Sequence, residues 1–314
     1  MLKFIIRRLL LAAPTVLGAS MLSFLLLYAL PGNPGQAILK EQTGYDPSLE
    51  EITFFLQKHG LDVSLVDLCL RWGKRLLHGD LGVSLRTGEP VLREFASKFP
   101  ATLELAAAAM ALAVQLAFPL GIISAIKRNT IWDHAGRLLA LWGVSMPNFW
   151  LGLLLILLFS LKLGWLPCFG SETLAHLILP ALTLGTGMAA SLMRLVRAST
   201  LEVLHQDYIR TARAKGLRES SIIWKHVLKN ALIPVVTVLG LQAGHLLAGT
   251  VVVETVFAWP GVGKFLIDSI YARDYPVIQG FVLIIALLFI TINSVVDLVY
   301  TWLDPRIRYH SAEG

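Results

Sequence analysis

From Leu9 to Leu30 the chain contains no charged residue, and this run follows Lys3, Arg7 and Arg8. A helix rises about 1.5 Å per residue, so about 20 apolar residues cross the hydrocarbon core of a bilayer. The apolar region of a secretory signal is only about 7–15 residues long and ends in a small-residue cleavage site. Here the run passes Gly18-Ala19-Ser20 and continues through Met21–Leu27, so it reads as a retained spanning helix ended by Pro31-Gly32-Asn33-Pro34. Five further apolar runs follow, at Ala101–Ile126, Leu138–Leu161, His176–Met193, Ala231–Val256 and Gln279–Leu303. The fourth contains Pro180, Gly185 and Gly187 and rests on the charges flanking it. Only 15% of residues are charged, against about a quarter in soluble domains, which argues against a cytoplasmic enzyme. The expected fold is an all-α integral membrane protein of six transmembrane helices with a small helical outer domain.

Basic residues set the orientation of such a chain, because short loops rich in Lys and Arg stay on the cytoplasmic side. With the N-terminus inside, the inner segments hold sixteen basic residues, eight of them between Arg194 and Lys229, whereas the short outer loops hold only Lys162, Lys264 and Arg273. Both termini are therefore expected in the cytoplasm. The net charge of +6 follows from this asymmetry and needs no nucleic-acid partner. The expected divisions are 1–30 (N-terminus and first span), 31–100 (outer insertion), 101–303 (five-helix core including a cytoplasmic loop 198–230) and 304–314 (tail).

Segment 31–100 is patterned beyond what a loop needs. Ser48-Leu49-Glu50-Glu51 fits a capping box before Ile52, Phe55 and Leu56, and Leu65, Leu68, Cys69, Trp72 and Leu76 recur at helical spacing. This outer domain reads either as simple packing or as a lid or docking surface. Cys69 and Cys168, the two cysteines, form no CxxC pair, and nothing in the sequence brings them within bonding distance.

In the fifth span Gly240, Gly244 and Ala248 recur every four residues, the small-xxx-small pattern that lets helix backbones approach closely in lipid. Gln242, His245 and Gly249 fall on roughly the opposite side of the helix. Polar groups at that depth face a partner helix or an aqueous route, so Gln242, His245 and Gly249 read either as lining a path or as bonding to neighbouring helices. His245 is the one candidate for direct metal ligation, and no HxxH, HExxH or Cys/His cluster accompanies it. Gln115, Asn293 and Asp297 are further intramembrane polar points, with Glu104 and Glu254 near the outer ends of their spans.

Between the fourth and fifth spans, Asp207-Tyr208-Ile209-Arg210-Thr211-Ala212-Arg213-Ala214-Lys215-Gly216 reads as a short basic helix ended by a left-handed Gly216, with Leu217 folding back. A second helix is expected to start at a serine cap, Ser220-Ser221, and run through Trp224 into the fifth span. A lipid-headgroup contact competes with a docking role for this pair. Here the sequence resembles the permease subunits of ATP-binding-cassette (ABC) importers, specifically the dipeptide, oligopeptide and nickel group. The family's cytoplasmic signature, Glu-Ala-Ala, three residues, then Gly, is matched over Arg210–Gly216, with Arg210 in the glutamate's place. The likeness extends over nearly the whole chain, through Leu30–Pro34, Gly79–Ser84, Pro100–Leu105, Phe257–Gly263 and Arg273–Gln279.

The resemblance implies a type I importer permease fold and an ATPase-coupling role for Asp207, Tyr208, Arg210, Thr211, Ala212, Arg213, Ala214, Lys215 and Gly216. It also implies a homologous second permease, two ABC ATPases and an extracytoplasmic binding protein as partners. No nucleotide site is expected in this chain, because Gly73-Lys74 and Gly263-Lys264 are not followed by the Ser or Thr of a P-loop. ATP and magnesium then belong to the partner ATPases, and no cofactor is expected here. A membrane-embedded enzyme lacks a catalytic constellation, and an ion-driven secondary transporter lacks paired broken helices in related halves. For the cargo, Val144–Trp150, Phe257–Gly263 and Leu303–Arg308 look closest to nickel permeases, which makes nickel, as a chelate, the expected substrate and small peptides the alternative.

Overall fold

The structure, a computed structural model, describes residues 14–25, 27 and 32–303; the side chains at 245, 247, 248 and 297–303 lie outside that description. Among the described residues the only extended pairing is an isolated bridge between Val83 and Pro90; the rest of the regular structure is helical. The chain divides into two compact units, one from Met1–Thr102 with Pro260–Thr291 and one from Leu103–Trp259 with Ile292–Gly314.

The first unit begins with a short apolar helix, α1 (Pro14–Leu25), which is the described part of the expected first span. Helix α2 (Pro34–Thr43) starts where the sequence suggested only a helix stop: Asn33 accepts the Gly35 N–H at 2.8 Å and Pro34 occupies the first turn. Helix α3 (Leu49–Lys58) has the expected capping box, with the Ser48 N–H donating to Glu51 Oε2 at 2.7 Å and the Glu51 N–H to Ser48 Oγ at 3.3 Å. Ile38 of α2, Phe55 of α3 and Leu85 form one buried cluster. Helix α4 (Leu65–Leu77), capped by Ser64, buries none of its residues fully. Phe95, at the start of α5 (Val91–Ile126), packs with Val262 of α12 (Val262–Tyr271) and Phe281 of α13 (Tyr275–Leu303).

Asp274 ties this unit together. Its carboxylate accepts Ser84 Oγ–H at 2.6 Å, the Leu85 N–H at 3.1 Å and the Arg86 N–H at 3.3 Å, and also caps α13 through the Val277 N–H. Two sequence blocks some 190 residues apart are thereby joined. Burial raises the Asp274 carboxyl above its ordinary value, outweighing the hydrogen bonds that pull it down.

In the second unit α8 (Leu174–Leu204) is longer than the expected His176–Met193 span; a capping box of Thr173 and His176 sets its start, and it runs on past Met193 to Leu204. Pro180 sits inside α8, where it removes one backbone donor without ending the helix. Leu192, Met193 and Val196 of α8 pack with Ala113 and Ala117 of α5, Ala140 of α6 (Ile131–Ser145) and Val235 of α11 (Leu228–Val256). At Gly185 a side chain would meet the Ala109 carbonyl and Leu112 of α5, so the two helices touch backbone to backbone.

The expected third span, Leu138–Leu161, is not one helix. Helix α6 stops at Ser145, Met146 is extended, Pro147 caps α7 (Asn148–Leu155), and a wide π-type turn carries on to Lys162; the two arms are bent by 104°. Pro147 lacks the N–H that a continuous helix needs and forces Met146 out of helical geometry. Among the described residues four helices are long and apolar enough to span a membrane, five if the bent pair counts as one.

Candidate functional site

The connection between α8 and α11 folds as a compact knuckle. Helix α9 (Asp207–Ala214) turns its Ile209 and Ala212 inward against Ile222 and Val227, with Val203 and Leu204 packed alongside. The helix ends as its sequence suggested: the Gly216 N–H donates to the Arg213 carbonyl at 2.9 Å, the Leu217 N–H to the Ala212 carbonyl at 3.3 Å, and Gly216 has φ +74°. The expected serine cap is not there. Arg218 is the residue before α10 (Glu219–Ser221), and a π-type turn, Ile222–Val227, leads from Ser221 into α11. Glu219 instead bonds Arg213 Nε at 2.6 Å across the turn, which fixes the start without a serine. Asn230 Nδ2 donates to the Tyr208 hydroxyl at 2.8 Å and closes the knuckle from the α11 side.

Of the nine residues expected to couple to a partner, Ala212 is buried and supports the fold. Asp207, Tyr208, Arg210, Thr211, Arg213, Ala214, Lys215 and Gly216 are exposed together along the knuckle. Arg210 reaches Asp207 only at 3.5 Å, on the open surface. Trp224 was absent from that set, yet its side chain is 71% exposed on the same element. Its sequence signal was an aromatic residue in a basic helix.

Sequence reading also missed an ion pair between α6 and α8. Asp133 of α6 is fully buried and receives Arg197 of α8 through Nε at 2.7 Å and Nη2 at 2.9 Å. Ser124 Oγ–H at 2.6 Å and the Asn129 N–H at 3.0 Å also donate to it, and Arg137 Nε lies 3.6 Å away, so α5, α6 and α8 converge on one carboxylate. A bidentate fork fixes orientation as well as distance. The lone acidic residue in a basic loop was the only sequence sign of it.

In α11, a side chain at Gly240 would press on Val296 of α13, Gly244 is buried, and Gly249 faces open space. Gln242 is half-buried, with Oε1 enclosed and unpartnered. The side chains of His245 and Ala248 lie outside the described residues. Among the described residues no group of three or more His, Cys, Asp or Glu is placed to hold a metal. Both cysteines are free.

Residues 117–309 match the family model described as binding-protein-dependent transport system inner membrane component. The chain belongs to this family. It is 47% identical to the glutathione transport system permease protein GsiC of Pectobacterium atrosepticum, over 98% of this chain and 100% of that one. It is 44% identical to the di/tripeptide transport system permease protein DppB of Pseudomonas aeruginosa (98% and 99% covered), and 42% identical to the dipeptide transport system permease protein DppB of Escherichia coli, with the same coverage. Among solved structures it resembles a chain of the MetNI methionine ABC transporter, with TM-score 0.57 and 19% identity over 68% of this chain and 97% of that one. A chain of an amino acid ABC transporter with histidines gives TM-score 0.54 and 15% identity, over 66% and 93%. The fold is that of a type I ABC importer permease. Members of this family are multi-pass inner-membrane components, and this chain is a permease of an ABC importer.

Proposed function

We propose that this permease forms the translocation path for small peptides, of dipeptide to glutathione size, delivered by an extracytoplasmic binding protein. What carries the reading is that three relatives sharing 42–47% identity along almost the whole chain bear peptide or glutathione names. Nickel, the cargo first read from the sequence, is in none of those three names. The exposed knuckle Asp207–Gly216 with Trp224 takes up the motion of two partner ATPases, and a second, homologous permease completes the path. Both termini and the knuckle lie in the cytoplasm; Gln242, His245 and Gly249 face the path, and the Gly240, Gly244 and Ala248 side packs on a neighbouring helix. The test is uptake into proteoliposomes holding the whole complex, loaded with ATP and supplied with binding protein. Labelled alanyl-alanine or glutathione should accumulate and a labelled nickel chelate should not; the reverse pattern would return the assignment to nickel.

A further inference from the structure

A cavity of about 120 Å³ lies within the first unit, bordered by α1, the turn after α3, α4, residues 81–82 and the start of α13. Phe24 and Trp72 form an aromatic wall, their rings 6.1 Å apart. The charged side chains on the lining are two donors, Arg71 and Arg75 from successive turns of α4, and the His59 ring stands beside them. No Asp or Glu lines the cavity, and among the described residues neither arginine forms an ion pair. Gln279, also on the lining, is 4% exposed and its amide nitrogen is buried without a hydrogen-bond partner. A buried amide nitrogen without a partner is destabilising, and a purely structural role for this side chain would have given it one. Two solvent-exposed guanidinium groups free of ion pairs among the described residues, beside a buried amide nitrogen and backed by aromatic rings, suit a planar anion with a small apolar stem.

We infer that this cavity binds one carboxylate group. Its size suits the end of a short peptide or a single acidic side chain, and the fork of each arginine matches two carboxylate oxygens. The peptide reading above supplies only the source, which is either the α-carboxylate of a peptide or an Asp or Glu of a docking protein.

Two binding measurements on the purified complex with its ATPases separate these sources. In the first, without binding protein, labelled alanyl-alanine and alanyl-alaninamide are compared by equilibrium dialysis. In the second, affinity for the binding protein is measured. Each is run on wild type, on Arg71→Gln/Arg75→Gln and on Gln279→Leu, with co-purification of the ATPases as the fold control. A loss of about tenfold or more for alanyl-alanine, with the amide bound weakly throughout, assigns the site to the peptide carboxylate. The same loss confined to the binding protein assigns it to an acidic side chain of that partner. Gln279→Leu removes a buried amide nitrogen without a partner, so it should keep or raise the melting temperature while lowering binding; if the arginine variant does not assemble, this variant decides. Binding within twofold of wild type in both measurements overturns the inference. If wild-type complex imports alanyl-alanine and the variants still bind normally, the cavity reading alone has failed; if wild type imports none, the peptide reading has failed.

Discussion

Asp133 has no access to solvent and holds four donors, while its partner Arg197 is only one-fifth exposed. Replacing it with Asn leaves a guanidinium facing a neutral amide, and breaking a buried pair in this way costs about 3 kcal/mol. Asp133→Asn should therefore lower the melting temperature of the purified permease measurably, whereas Arg210→Gln, on the open surface, should leave it unchanged. Gly216 has φ +74° with nothing near its missing side chain, so only backbone strain opposes substitution there. Gly216→Val should distort the turn at a cost of about 1–2 kcal/mol and weaken co-purification of the ATPases, with the transmembrane part still folded. Asp274 supplies a pH dependence. Its folded carboxyl lies above the ordinary value of 3.8, so between these two values the folded state holds the extra proton. Its contribution to stability is largest below 3.8 and falls as pH rises through the folded value. Asp274→Asn should flatten that part of a melting-temperature profile against pH, and it should lower stability at neutral pH, because an amide cannot accept from all the donors around it.

At the scale of elements, α11 presents two unlike faces. The Gly240 position sits so close to Val296 that a side chain there must displace it, while Gly249 meets nothing within 4 Å. Gly240→Leu should destabilise the permease by about 1–3 kcal/mol through overpacking, and Gly249→Leu should leave assembly intact. Cysteines placed at 242, 245 and 249 should react with a water-soluble thiol reagent and those at 240, 244 and 248 should not; the opposite pattern would reverse the facing proposed for this helix. The bend between α6 and α7 works in the same local way. Pro147 breaks the hydrogen-bond ladder and Met146 goes extended, so one apolar run becomes two arms.

For the whole molecule, the proposed orientation is testable with what the chain already carries. Cys69 and Cys168 are free and partly accessible, and both fall on the outer side if the basic segments are cytoplasmic. A membrane-impermeant maleimide should label them in intact cells. A cysteine replacing Lys215 should be labelled only in inside-out vesicles, and labelling of that position from outside would turn the topology over.

What the sequence determined by itself was what depends on composition and local periodicity. The long apolar runs require a membrane, Ser48 and Glu51 make their capping box within four residues, and Gly216 stops α9 because only a residue without Cβ is at ease there. What only the tertiary structure decided depends on residues far apart in the chain. Asp133 meets Arg197 across 64 positions and Asp274 meets Ser84 across 190, and no periodicity links such pairs. The serine cap failed because Glu219, held by Arg213 across the turn, starts the helix earlier. The exposure of Trp224 and the arginine-lined cavity were hidden for the same reason: exposure and convergence are properties of the packed chain, since a side chain's neighbours are set by how helices meet, not by its place in any one of them.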